Sequence, residues 1–310
     1  MLLEISKELF YKTFPHQQNP FLKEEFITLN SNKVDRVVYL VQNSNKPAIG
    51  LIAGIKNSTL VSHFSAPFGG FLYRHENIYT SEMEKFVDEL KKYIININCN
   101  LLYLNFAPSI YGISFNSKMI AILLKKQFTT EVLDLTNWVD LNSFAFRFNQ
   151  RNSREYYNQA LRHELEFIKL TTEDSKKQAY DLISANRKRN NRPMYMTFNN
   201  LLDTGKLWPI DFFGIFDLEK KILASGIFYQ FSDNIVYAAF WGDNERGRPK
   251  RAMDFLSFNL WSYYKNMGFS YIDLGISTEN GGIINEGLLR FKETHEAQTE
   301  LKYTLCWHNN

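Results

Sequence analysis

The sequence predicts an α/β (α+β) chain made of two tandem copies of one unit, each a mixed, mostly antiparallel sheet flanked by helices. Three observations predict it. The chain has 310 residues, about twice the size of one compact domain of roughly 150. The same order of strand-like and helix-like segments occurs twice. Matching residues also recur in series at a nearly constant offset, which is the mark of an internal repeat.

In the first half, VDRVVYLVQ, KPAIGLIAGI and STLVSHF read as three strands. They are rich in β-branched and aromatic residues and are bounded by Asn, Asp, Lys and Gly. A glycine-rich loop, APFGG, follows, then a helix SEMEKFVDELKKYI and a strand NLLYLNF. Ser81 is the expected N-cap of that helix, with Glu82 and Glu84 favourable in its first turn. In the second half, IDFFGIFD, KKILASGIFYQ and NIVYAAFW are the three strands, with a turn at 217–220 between the first two. The loop GDNERGRPK leads into a helix whose apolar residues Met253, Leu256, Leu260 and Tyr264 have helical spacing. Pro249 suits its first turn and Gly268 its end. The strand SYIDLG comes next.

The offset is about 175 for Gly50 with Gly226 and for Val61 with Val236. It is about 170 for Leu102 with Ile272 and Leu104 with Leu274, and about 169 for the stretch ending at Trp138 with that ending at Trp307. These matches predict that Val61 superposes on Val236 and Trp138 on Trp307. The expected division is 1–141 for the first unit, a connecting helix over 142–166, and 167–310 for the second unit. The connector lacks Gly and Pro and is rich in Arg, Glu and Gln, which favours helix. Arg147, Arg151 and Arg154 then share one helical face.

Composition narrows the functional classes. A net charge of +3 does not by itself imply a nucleic-acid protein. Two distant cysteines, Cys99 and Cys306, make neither a disulfide framework nor a metal site, so a reducing cytoplasm is expected. Glu4 and Lys7 interrupt the first apolar stretch, which argues against a signal peptide. No apolar run reaches the roughly 18 residues of a membrane span. The six histidines form no HxxxH or HExxH pair, so no metal site is expected.

Three stretches resemble the FemAB-like branch of the GNAT acyltransferases: Asp273 to Ala297 (DLGISTENGGIINEGLLRFKETHEA), Ala185 to Thr197 (ANRKRNNRPMYMT) and Ala66 to Gly70. Three antiparallel strands, a loop entering a helix, then strand, helix and strand is also the GNAT order. The resemblance implies two tandem GNAT-like units and transfer of an acyl group to an amine. The donor it implies is acetyl-CoA or another acyl-CoA. The implied acceptor is a small-molecule or nucleotide-linked amine, such as an amino sugar or cell-envelope precursor. FemAB proteins themselves use aminoacyl-tRNA on cell-wall peptides, so tRNA is an alternative partner.

The resemblance places a pyrophosphate loop at Asn244, Glu245, Arg246, Gly247, Arg248 and Pro249. The family pattern there is Arg or Gln, two residues, Gly, one residue, then Gly or Ala. Asn244 and Pro249 depart from it, and a proline has no N–H to give. Arg246, Arg248 and Lys250, with Arg251, still put phosphate-binding cations on this loop. Trp241 is a candidate wall for the acyl slot. Gly69 and Gly70 would let a backbone approach a ligand. Arg187, Arg189 and Arg192, with Lys188 and Tyr195, form a second basic cluster suited to an anionic acceptor.

The catalyst of such a transfer needs positioning, deprotonation of the ammonium and donors for an oxyanion. Lys292 is the candidate cation, on a short helix after the strand 271–274, at the edge of a face buried by Leu288 and Phe291. Glu286, Asp273 and Glu293 are the nearby carboxylates. No Ser-His-Asp or Cys-His arrangement is legible, so no covalent intermediate is expected. The competing reading is a binding protein that keeps the fold without catalysis.

Overall fold

The computed structural model describes residues 2–15, 19–62, 64–192 and 194–309. In chain order the first repeat runs β1 (Leu3–Glu4), α1 (Lys7–Thr13), α2 (Glu24–Asn30), β2 (Arg36–Val41), β3 (Ile49–Lys56), β4 (Thr59–Ser62), β5 (Phe71–Tyr73), α3 (Thr80–Asn96), β6 (Leu101–Asn105), α4 (Ile113–Lys125) and β7 (Thr129–Asp140). A helix α5 (Arg151–Leu161) follows. The second repeat runs β8 (Glu166–Leu170), α6 (Glu173–Arg189), α7 (Phe198–Thr204), β9 (Ile210–Phe216), β10 (Ile222–Gln230), β11 (Ile235–Asp243), α8 (Ala252–Asn266), β12 (Tyr271–Ile276), β13 (Thr278–Glu279), β14 (Ile283–Ile284), α9 (Glu286–Thr294) and β15 (Ala297–His308). Both repeats thus follow the predicted order of three strands, helix, strand, helix and strand.

By contacts the chain forms two compact units. One is Met1–Leu135 with Asn280–Ile283 and Leu301–Asn310, and the other is Thr136–Glu279 with Ile284–Glu300. This division differs from boundaries at 141 and 166 because β7 and β15 each begin in one unit and end in the other. The helix expected over 142–166 is the shorter α5, and residues 141–150 are turns and bends. Phe146 has a positive φ of 52°, which helix does not allow. Arg147 therefore precedes the helix. Arg154 donates to the carbonyls of Phe148 and Asn149, holding that bend closed.

In the first unit the sheet order is β1-β2-β3-β4-β6-β15, with β5 also on β3. Among the described residues of this unit only β4 and β6 pair in parallel, with Leu60 opposite Leu102. The sheet is buried on both faces, so β2 and β3 read as near-continuous apolar runs. Val38, Leu40, Ile49 and Leu51 face a core built with α3 and α4. Tyr39, Val41 and Ile52 face an aromatic cluster with Phe10 and Phe14 of this unit. Ser81 lies inside α3 rather than at its cap, which falls on Tyr79 without a side-chain bond. Gly50 is held by space: a Cβ there would lie 2.6 Å from the Phe14 ring and 2.9 Å from Phe10. Gly50→Ala is therefore expected to overpack this layer and cost about 1–3 kcal/mol, read as a lower urea midpoint at unchanged slope. An unchanged midpoint would mean that the aromatic layer yields freely.

In the second unit the order is β7-β12-β11-β10-β9-β8. Val236 of β11 lies opposite Ile272 of β12. Since Leu60 holds that place beside Leu102, Leu60 and not Val61 corresponds to Val236. Both are fully buried, whereas Val61 is half-buried. On the closing strands, Trp138 faces Asp273 and Trp307 faces Leu102. Val139 faces Ile272, so Val139 and not Trp138 corresponds to Trp307. Both offset matches slip by one residue, and a one-residue slip in a strand exchanges the two faces. The helix α8 packs Leu256, Leu260, Trp261 and Tyr264 onto the sheet. Gly268, at φ +88°, ends it as expected. Pro249 lies in the turn before it, and Arg251 in left-handed geometry takes the cap position.

Candidate active site

The parallel strands β11 and β12 pair from Ile235 with Tyr271 to Tyr237 with Asp273, and no further. Beyond that point β11 runs on to Asp243, while β12 bulges between Asp273 and Gly275. Gly275 sits at φ +68°, and its N–H donates to Oδ1 of Asp273 at 2.8 Å. Such a bulge bends the strand and re-aims the carbonyls that follow it. Here they meet a cation: Nζ of Lys292 on α9 donates to the carbonyl oxygens of Gly275 at 2.9 Å and Ile276 at 2.8 Å.

Lys292 is the buried residue of α9, only 1% exposed, while Leu288 and Phe291 are half-buried. It stands inside the unit and not at the edge of an apolar face, which corrects the expectation from helical spacing. Asn285 caps α9, accepting from Leu288 N at 2.9 Å, and so fixes the helix phase that turns Lys292 inward. Burial pulls the Lys292 ammonium down to about 7. Asp273, itself 1% exposed, opposes that shift, and Arg192 adds to it. Glu286 is exposed in the first turn of α9, and Glu293 accepts from Thr299, so neither is placed beside Nζ.

The basic cluster approaches the same unit from α6. That helix ends with Arg192 N donating to the Arg187 carbonyl and Asn191 N to that of Lys188. Asn191 takes φ +54°, the left-handed closing conformation. This turn folds Arg192 back over Arg187. Arg192 pairs with Glu279, which also accepts from Asn285 at 2.7 Å. The Arg187 guanidinium lies 5.6 Å from the Phe240 ring centre. Burial, then the Arg192 charge, hold Arg187 below the ordinary guanidinium value. Its buried Nε has no hydrogen-bond partner among the described residues. Tyr195 is 92% exposed and stands clear of the cluster, and Pro193 lies outside the described residues.

Part of the backbone of the predicted pyrophosphate loop is engaged with itself or with β10. The amides of Asn244, Gly247, Arg251 and Ala252 donate to Leu223, Asn244, Arg248 and Gly247 carbonyls. A Cβ on Gly247 would lie 2.5 Å from the Leu223 carbonyl oxygen, so this glycine serves close packing against β10. Lys250 pairs with Asp217 at 3.1 Å, and Arg251 stacks on Tyr156 at 3.8 Å. Arg248 and Arg189 both approach Asp243, at 3.6 and 3.8 Å, while Arg246 is exposed. Arg189, Asp243 and Asn244 line an open groove of about 380 Å³ with Leu182, Asn186 and Ile222. Trp241 is half-buried in β11, 5.7 Å from the Phe291 ring centre, and packs with the α8 core.

Gly69 and Gly70 belong to the first unit. Gly69 N donates to the Asn105 carbonyl and Gly70 N to Ser62, and Gly70 needs its glycine for a φ of +103°. They form a pinned turn. The described residues of the first unit also lack the chemistry of the second. By sheet register Val61 and Tyr103 stand where Tyr237 and Asp273 do.

Tyr237, Glu279 and Gly275 were not singled out from sequence. Only Gly275 carries a signal, as a lone glycine inside a strand pattern, which marks a bulge.

The repeated order of strands and helices, with its one parallel pairing in each unit, is a FemAB-like tandem GNAT fold. No family model matches the sequence, and no curated protein does. Among solved structures the chain is similar to FemX, at TM-score 0.69 and 9% identity, over 100% of this chain and 98% of that one. It is similar to L-PGS from Bacillus licheniformis at TM-score 0.59 and 12% identity, over 99% and 93%. It is also similar to a tandem GNAT protein from the clavulanic acid biosynthesis pathway, at TM-score 0.59 and 7% identity, over 100% and 98%. No helix among the described residues is long and apolar enough to cross a membrane.

Proposed function

We propose that the second unit is an acyltransferase that joins an activated acyl group to the amine of an anionic acceptor. The observation that carries this reading is the buried Lys292 ammonium at the point where β11 and β12 part, with two carbonyls on its nitrogen. The acceptor ammonium gives one proton to solvent, and the free amine attacks the acyl carbonyl carbon and forms the C–N bond, the nitrogen then losing the second proton that the leaving group takes up. Lys292 steadies the negative oxygen that develops there. The C–S bond of an acyl-CoA, or the C–O bond of an ester, then breaks, and the leaving thiol or hydroxyl takes a proton. Arg187 and Arg192 hold the acceptor's phosphate or carboxylate, since the half-buried Arg187 has charge and, among the described residues, an unused Nε–H to offer.

Acetyl-CoA or another acyl-CoA is the first donor. The loop 244–251 supports its pyrophosphate through the exposed Arg246 and Arg248. The departures of Asn244 and Pro249 from the family's loop pattern, Pro249 having no N–H to give, favour a second donor, an aminoacyl ester of tRNA. The FemAB-like fold points the same way. The test is transfer of labelled acetyl from acetyl-CoA, and of labelled alanine from alanyl-tRNA, to nucleotide-linked amino sugars and peptides. Transfer from either supports the reading and names the donor. A folded protein with no transfer from either, and no thermal shift with any of them, returns the chain to a non-catalytic binding role.

A further inference from the structure

The Gly275 bulge is the unexplained feature of β12. A glycine at φ +68° costs little, but a strand gains nothing from it. A Cβ built there would meet only the Tyr237 hydroxyl at 3.9 Å, so crowding does not demand a glycine. What the bulge achieves is to aim two successive carbonyls at one nitrogen. Asp273 stands two residues before Gly275, and its Oδ1 accepts from the Gly275 N–H at 2.8 Å, which locks the bulge.

We propose that Asp273 and Gly275 are positioning residues, which together form a dry two-carbonyl socket that holds the Lys292 ammonium with one N–H left for an incoming oxygen. This rests on the acyl-transfer reading for the purpose of the socket, though not for its existence. An ammonium has three donors, and among the described residues two are taken, by Gly275 and Ile276. The charged groups facing it are Asp273 on β12, Arg192 after α6 and, paired with Arg192, Glu279 on β13. Tyr237 of β11 lies opposite Asp273. Asp273 therefore does two things: its oxygen fixes the bulge, and its charge keeps the buried ammonium protonated.

The two roles separate by mutation. Asp273→Asn keeps an oxygen for the Gly275 N–H but removes the charge. Gly275→Val forbids the positive φ, whereas Gly275→Asn tolerates it. The readout is the titration of Lys292 by NMR in full-length protein carrying 13Cε-labelled lysine, with Lys292→Arg to assign the signal. In the unaltered protein Lys292 is expected to titrate near 7. Asp273→Asn should move the titration lower by about 1–3 pH units, the usual effect of losing a close opposite charge. Gly275→Val should open the socket to water and move it up toward the ordinary lysine value of about 10.4. Gly275→Asn should restore it. A Lys292 signal that titrates alike in the unaltered protein and in Asp273→Asn overturns the proposal, and that variant decides should Gly275→Val fail to fold. Because the titration needs no donor or acceptor, loss of the acyltransferase reading would leave this result standing.

Discussion

Lys292→Met is expected to lower kcat by about 10²–10³ while the acceptor KM changes little, since one oxyanion donor is removed and no binding group is. Methionine fills the space of the lysine stem, so the variant should fold. The unaltered enzyme should also lose rate as pH rises through about 7, where the ammonium becomes a neutral amine. Stability should follow the opposite course. The folded pKa lies below the unfolded value of about 10.4, so between about 7 and 10.4 the unfolded chain binds more protons and stability rises with pH. The methionine variant should lack that rise. Steady-state kinetics and urea midpoints across pH measure both. A near-normal kcat in a folded Lys292→Met protein would remove Lys292 from the reaction.

The second large effect is expected at Arg187. Arg187→Ala should raise the KM for an anionic acceptor by about 10–150-fold, the worth of one charged hydrogen bond, and leave kcat within a few-fold. Lysine should not rescue it, because a point charge cannot reproduce the guanidinium fork over Phe240. An unchanged KM with Arg187→Ala would mean that the acceptor's charge is bound elsewhere.

Much of the fold is legible in the sequence because strand composition and helical spacing are local properties. The order of elements, the turn at 217–220 and the Gly268 stop all follow from them. The registers of Val61 and Trp138 do not, since an offset between loops of unequal length cannot resolve one residue. Lys292 is legible as a candidate from its neighbours, yet its burial is not: helical spacing puts Leu288 and Phe291 inward. The turn that ends α6 and the bulge at Gly275 decide otherwise. The loop 244–251 is misleading for a related reason. Its glycine matches a phosphate-binding pattern, but what Gly247 accommodates is the Leu223 carbonyl.

The exchange of closing strands has a consequence for synthesis. The first unit is completed by residues 301–310, of which Thr304–His308 pair with β6 at Leu101–Asn105. A ribosome adding about 5–20 residues per second needs on the order of 10–40 s to make the intervening stretch of about 200 residues. Throughout that interval the β6 edge waits on the nascent chain without its partner, and unpaired edges recruit other strands. Residues 301–310 therefore complete the first unit late, and a chain truncated before them leaves that unit unfinished.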